Sequence, residues 1–120
     1  MHLDAVVVNG VSMRALARGP GHDPQTSPPG GANCVIAAHR NMAGWWFYDL
    51  GRLRAGDQVL LETPSQKYSY RVQSIATVPG DDFAPLRPGK AGQSLLTLYS
   101  CTLPKTTRRL VATAQLEPEA

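Results

Sequence analysis

The sequence predicts a mainly β domain, a barrel or sandwich of six or more short strands with little helix. Two observations carry this. Short apolar or alternating runs recur at residues 3–8, 33–40, 58–62 and 67–78, and twice more between Ser94 and Leu116. Between them lie turn-forming clusters that draw on 11 glycines and 10 prolines. With 120 residues, 42% apolar and 18% charged, residues 1–120 fit one globular domain around a single core.

Leu3–Val8 is a β-branched run that ends at Asn9-Gly10, the signature of a strand entering a turn. Ser12 suits the N-cap of a short helical turn over Met13–Ala17, closed by Gly19 and Pro20. Residues 19–32, rich in glycine and proline, read as a long surface loop. Cys34, Val35, Ile36, Ala37 and Ala38 form a nearly continuous apolar run, as expected of a strand buried on both faces, and it leads out into His39. Gly44–Leu53 gathers four aromatics, Trp45 to Tyr48, into an expected short helix whose rings pack on the core. Arg54–Asp57 is a turn, Gln58–Glu62 a strand, Thr63–Gln66 a hairpin turn and Lys67–Val78 a long return strand. In that strand Tyr68, Tyr70 and Val72 alternate with Ser69, Arg71 and Gln73, the period of a half-exposed strand. Pro79–Gln93 is a second long loop, and Ser94–Leu116 reads as strand, short loop, strand.

Charge excludes little but points away from nucleic acid. The net +3 comes from 12 basic and 9 acidic residues, and only Lys105, Arg108 and Arg109 are grouped. No apolar run reaches the roughly 18 residues of a membrane span, so the chain as given is expected to be soluble. Met1 stands directly before a strand-like run, which leads us to expect that an N-terminal anchor or targeting segment precedes this sequence in the native protein. Cys34 and Cys101 match no zinc spacing, and no carboxylate cluster suits calcium, so neither metal nor cofactor is expected.

The chemistry concentrates near the C-terminus. Cys101 ends the apolar run Leu95–Tyr99, and a thiol at a strand end stands on a rigid support. Arg108 and Arg109 open the returning strand, and a permanent cation beside the sulfur favours thiolate. Strand alternation sends those two arginines to opposite faces, so only one can face Cys101. A nucleophilic thiol needs a proton-transfer partner, and His39 at its own strand's exit is better mounted than His2 at the terminus or His22 in the loop. Cys34 reads as core. Asp81, Asp82, Glu62 and Glu117 form no pair for acid–base work and read as solvated charges.

These residues together resemble the sortases, cysteine transpeptidases of Gram-positive surfaces, over nearly the whole chain. Thr97-Leu98-Tyr99-Ser100-Cys101 is similar to the family's Thr-Leu-x-Thr-Cys signature, with serine in place of the second threonine. Ala38-His39-Arg40 resembles its Gly-His-Arg, and Arg109-Leu110-Val111 the arginine that opens the last strand; a one-residue shift would choose Arg108. The loop holding Gly19-Pro20-Gly21-His22 and the short loop after the cysteine are similar to class E sortases of actinobacteria.

The resemblance implies a closed sortase-type β-barrel of seven or eight strands with short helices, the first strand beginning before residue 1. It implies Cys101 as nucleophile, His39 as acid and base, and Arg109 as the donor to substrate and oxyanion. Thr97 and Ser100 of the signature, and Phe83 and Leu86 (with Asp82) of the preceding loop, are the implied substrate-binding residues. The substrate would be a Leu-Pro-x-Thr-Gly or Leu-Ala-x-Thr-Gly sorting signal, cut between Thr and Gly. The acceptor would be a peptidoglycan or pilin amine, and the place of action the outer face of the cell membrane, reached through an anchor.

Two rivals remain. An L,D-transpeptidase acting on peptidoglycan expects arginine two residues after the cysteine, where this chain has Leu103. A non-catalytic β-barrel scaffold would keep the fold and lose turnover.

Overall fold

The computed structural model describes residues 8–9, 21–38, 53–63, 66–79, 93–100 and 108–117. These carry seven strands: β1 (Val8–Asn9), β2 (Gly21–His22), β3 (Asn33–Ala38), β4 (Gln58–Glu62), β5 (Lys67–Pro79), β6 (Leu95–Ser100) and β7 (Arg108–Leu116). They form one sheet in the order β1-β2-β3-β6-β7-β5-β4. At its centre β3 and β6 run parallel, from Asn33 opposite Leu95 to Ala38 opposite Ser100. β7 lies antiparallel to both β6 and β5, and β4 to β5.

Strand alternation divides the central residues between two faces. Cys34 and Ile36 of β3, Leu96 and Leu98 of β6, and Ala112 and Ala114 of β7 share one core cluster with Tyr70 and Val72 of β5. Val35, Ala37, Tyr99 and Val111 form a second, smaller cluster against Val78. The β3 run is therefore apolar throughout because both of its faces are covered, as its sequence predicts.

The larger cluster also takes Val59 and Leu61 from β4, which is four places from β3 in the strand order. Strands that distant share a core only if the sheet curls on itself. The segment before β3 reaches across the curl: the Gly30 N–H donates to the Tyr70 hydroxyl of β5 at 2.8 Å. Gly30 has φ +84, and a Cβ there would stand 2.7 Å from the Tyr68 ring, so the position calls for glycine. A register shift between Val72 and Ser74 changes the parity of β5. Tyr70 and Val72 pack inward before it and Ile75 after it, so the long strand keeps an apolar face while it bends.

The mainly β expectation holds, and the described strands form a curled half-barrel. Among the described residues no pairing joins β4 to β1, and there is no helix. None is long and apolar enough to cross a membrane. The turn at 54–57 stands where the sequence puts it, with Gly56 at φ +96 and Arg54 N–H bonded to Asp57 Oδ2. Of the 63–66 turn only Thr63 and Gln66 are described, the Thr63 N–H donating to the Gln66 carbonyl. Two expectations are corrected. Gly21–His22, inside the expected surface loop, is a strand held between β1 and β3. β5 also runs one residue further than expected, to Pro79, because that residue still pairs with Arg108. The helical turn over 13–17, all of the expected 44–53 helix but Leu53, the start of the first strand and residues 80–92 lie outside the described residues.

Candidate active site

The described residues that precede His39 and Cys101 in sequence meet at one end of the central strands. β3 and β6 run in the same direction, and their last residues, Ala38 and Ser100, are register partners. His39 and Cys101 are the next residues of each segment; both lie outside the described residues. The pairing of β6 with β7 places Tyr99 opposite Val111, so the opening residues of β7 belong to the same end of the sheet.

Arg109 is described, and it settles on the face of the smaller cluster. Its backbone pairs with Val78, and its guanidinium carbon lies 5.2 Å from the centroid of the Tyr99 ring. That is within the distance at which a cation is attracted to an aromatic face. Its Nε is buried and has no hydrogen-bond partner among the described residues. Arg108 pairs through its backbone with Pro79.

Thr97 and Ser100 are built into the sheet. Thr97 is 1% exposed and donates its hydroxyl to Asn33 Oδ1 at 2.8 Å, linking the parallel strands by side chain as well as backbone. Ser100 is 2% exposed, and its Oγ accepts the Leu110 N–H at 3.2 Å where β7 joins β6. Serine keeps the hydroxyl that this bond needs. Both residues therefore tie β6 to its neighbours, Thr97 to β3 and Ser100 to β7. Phe83, Leu86 and Asp82 lie outside the described residues.

The rival side chains are occupied elsewhere. His22 donates Nε2–H to the Ser27 carbonyl at 2.8 Å, with Thr26 Oγ1 at 3.4 Å. Thr26 in turn donates to the Asp23 carbonyl and accepts the Val35 N–H, so this histidine orders its own segment beside β3. His2 lies outside the described residues. Cys34 is a free thiol in the larger core, where burial pushes its pKa up from about 9 to about 11. Such a thiol stays protonated and inert. Glu117, expected as a solvated charge, keeps contact with solvent and is also clasped: the Ser69 hydroxyl donates to it, and Arg71 pairs with it at 3.0 Å. Those bonds, Ser69 first and then Arg71, lower its pKa. Among the described residues no group of His, Cys, Asp or Glu is placed to hold a metal ion.

Sequence reasoning passed over Tyr99 and Asn33. Both carried a signal, since they lie on the same strand parity as Thr97 and, for Tyr99, on the face of whichever arginine stands two residues before Val111.

The sortase domain family model matches residues 1–117. Sortase A of Streptococcus agalactiae is 26% identical over 98% of this chain, which spans about half, 49%, of that protein's length. Among solved structures, sortase C-1 of Actinomyces oris superposes with a TM-score of 0.90 at 28% identity, covering 98% of this chain and 67% of that one. Sortase E of Streptomyces avermitilis does so with a TM-score of 0.82 at 29% identity, covering 93% and 77%.

Proposed function

This chain belongs to the sortase family, whose members are cysteine transpeptidases, and on that premise we propose that it cuts a sorting signal and transfers its acyl part to an amine. The observation that carries the reading is the parallel register of β3 and β6, which brings Ala38 and Ser100 side by side at the strand ends. One further step along that register pairs position 39 with 101. Two further steps along β6 and β7, from Tyr99 opposite Val111, pair 101 with 109. In our proposal both registers continue in this way, which would set His39, Cys101 and Arg109 in one row across three adjacent strands, with the parity of Tyr99 and Val111.

Each residue has a role in that row. The Cys101 thiolate attacks the Thr carbonyl carbon of a Leu-Pro-x-Thr-Gly or Leu-Ala-x-Thr-Gly signal. Arg109 donates to the oxyanion that forms. The C–N bond breaks, the Gly amine leaves with the proton of His39, and a thioester remains. The incoming peptidoglycan or pilin amine attacks the thioester, gives its proton to His39, and the thiolate departs. Thr97 and Ser100 serve by fixing the strands beneath the row, while Phe83 and Leu86 line the signal-binding groove. We place the protein among the class E sortases, acting on the outer face of the membrane from an N-terminal anchor.

The test is a mass-resolved assay with both peptides and a glycine or diaminopimelate amine. Cleavage between Thr and Gly, abolished by Cys101→Ala and His39→Ala but retained by Cys34→Ala, is the expected result. Retained cleavage in Cys101→Ala would refute the mechanism. A live wild-type thiol with neither peptide cut would refute the substrate assignment.

A further inference from the structure

We propose that Tyr99 is a positioning residue for Arg109: its ring fixes the guanidinium from one face and takes none of its in-plane N–H donors. For the reaction this rests on the sortase reading above; for the geometry it does not.

The placement follows from the register. Tyr99 pairs with Val111, two residues on from Arg109, so Tyr99 and Arg109 are diagonal neighbours on one face, within reach of an aromatic ring. The ring is itself immobilised, 9% exposed and packed with Val35, Ala37, Val111 and Val78. The guanidinium carbon, 5.2 Å from the centroid, therefore rests on a fixed platform.

The chemistry lies in what the platform does not use. A carboxylate would hold an arginine through its N–H donors and cancel its charge. Among the described residues no carboxylate pairs with Arg109. A ring face attracts the cation electrostatically and leaves the in-plane donors alone. Among the described residues the buried Nε of Arg109 has no partner, an uncommon state for a buried polar atom and one that calls for a reason. An arginine that must meet a transient oxyanion needs to be held in place with its charge intact and a donor to spare. Stacking on Tyr99 meets all three conditions. The aromatic residue stands at the variable position of the signature, so this support is particular to chains that place a ring there.

The experiment has two readouts. The first is the Nε–H resonance of Arg109 in the 15N-labelled full chain, assigned by its loss in Arg109→Lys. In wild type and Tyr99→Phe it should be displaced by the ring and slow to exchange with water. In Tyr99→Leu it should merge with the exposed arginines. The second is transpeptidation. Tyr99→Leu should lower kcat about tenfold with little change in KM, and Tyr99→Phe should retain most of the rate. Combined with Arg109→Ala, Tyr99→Leu should add no further loss. An additive double variant, or a rate loss with the Arg109 resonance unmoved, overturns the proposal. So does a wild-type resonance like that of an exposed arginine, which decides the matter even if Tyr99→Leu fails to fold. A displaced resonance in a wild-type protein that cuts no sorting peptide upholds the positioning and overturns the sortase reading instead.

Discussion

On one face of β3, β6 and β7, Cys34, Ile36, Leu96, Leu98, Ala112 and Ala114 meet side chains of β4 and β5 inside the curl. On the other, Val35, Ala37, Tyr99 and Val111 meet Val78 and the cation of Arg109. The residue types on the two faces are nearly alike; the environments are not. The inner face suppresses charge: burial keeps the Cys34 thiol protonated, and the Tyr70 hydroxyl, raised chiefly by burial, accepts the Gly30 N–H. The outer face tolerates a permanent charge, because an aromatic ring supports it. In a strand, one step in sequence is a change of face. This is how a chain can bury a thiol at Cys34 as packing and still carry another as its proposed nucleophile.

The largest effect expected from breaking this division sets stability against rate. Leu96→Ala, at the centre of the inner face, should cost about 2–5 kcal/mol of unfolding free energy in a denaturant titration. Arg109→Ala on the outer face should change that titration little, since it removes a group with an unpaired buried atom. Its transpeptidation rate should nevertheless fall on the order of 10²–10³-fold. Equal losses of stability in both variants would erase the distinction.

A smaller effect sharpens it through pH. The folded protein holds the Cys34 proton up to about pH 11, whereas the unfolded chain releases it near 9. Stability is therefore full below about pH 9 and declines between 9 and 11, by about 2–3 kcal/mol from this thiol. Denaturation at pH 8 and pH 10.5 should show the decline, and Cys34→Ala should reduce it. Tyr70 would account for what persists.

The smallest effect lies away from both clusters. Glu117 has a lowered pKa, so its contribution is present above its ordinary value near 4.5 and fades as pH falls below that. The side chain is exposed to solvent, so Glu117→Gln should shift the acid unfolding midpoint slightly, and less at high salt. A salt-independent shift would mean that the clasp with Ser69 and Arg71 is more than a surface pair.

The sequence by itself determined the strand-rich class, because period-2 and fully apolar runs are local properties of the chain. Tyr68, Tyr70 and Val72 alternate in the sequence and in the sheet alike, and the β3 run announced that both of its faces were covered. The signature around Cys101, His39 and the arginine pair was legible too, since motifs are local. Gly21–His22 was not: two residues carry no periodicity, and they are a strand only because Asn9 and Ile36 lie on either side of His22. Nor was the parity change in β5, where the shift between Val72 and Ser74 has no residue signature. The choice between Arg108 and Arg109 required a face, which needs a partner strand. Tertiary structure supplied a face for one of them, since β6 brings the Tyr99 ring against Arg109; which of the two serves the reaction is part of the proposal above. Likewise, only the parallel pairing of β3 with β6, distant in the chain, decides that Ala38 and Ser100 end together. Register between distant strands comes from the packing of whole faces, and no local stretch of sequence encodes it.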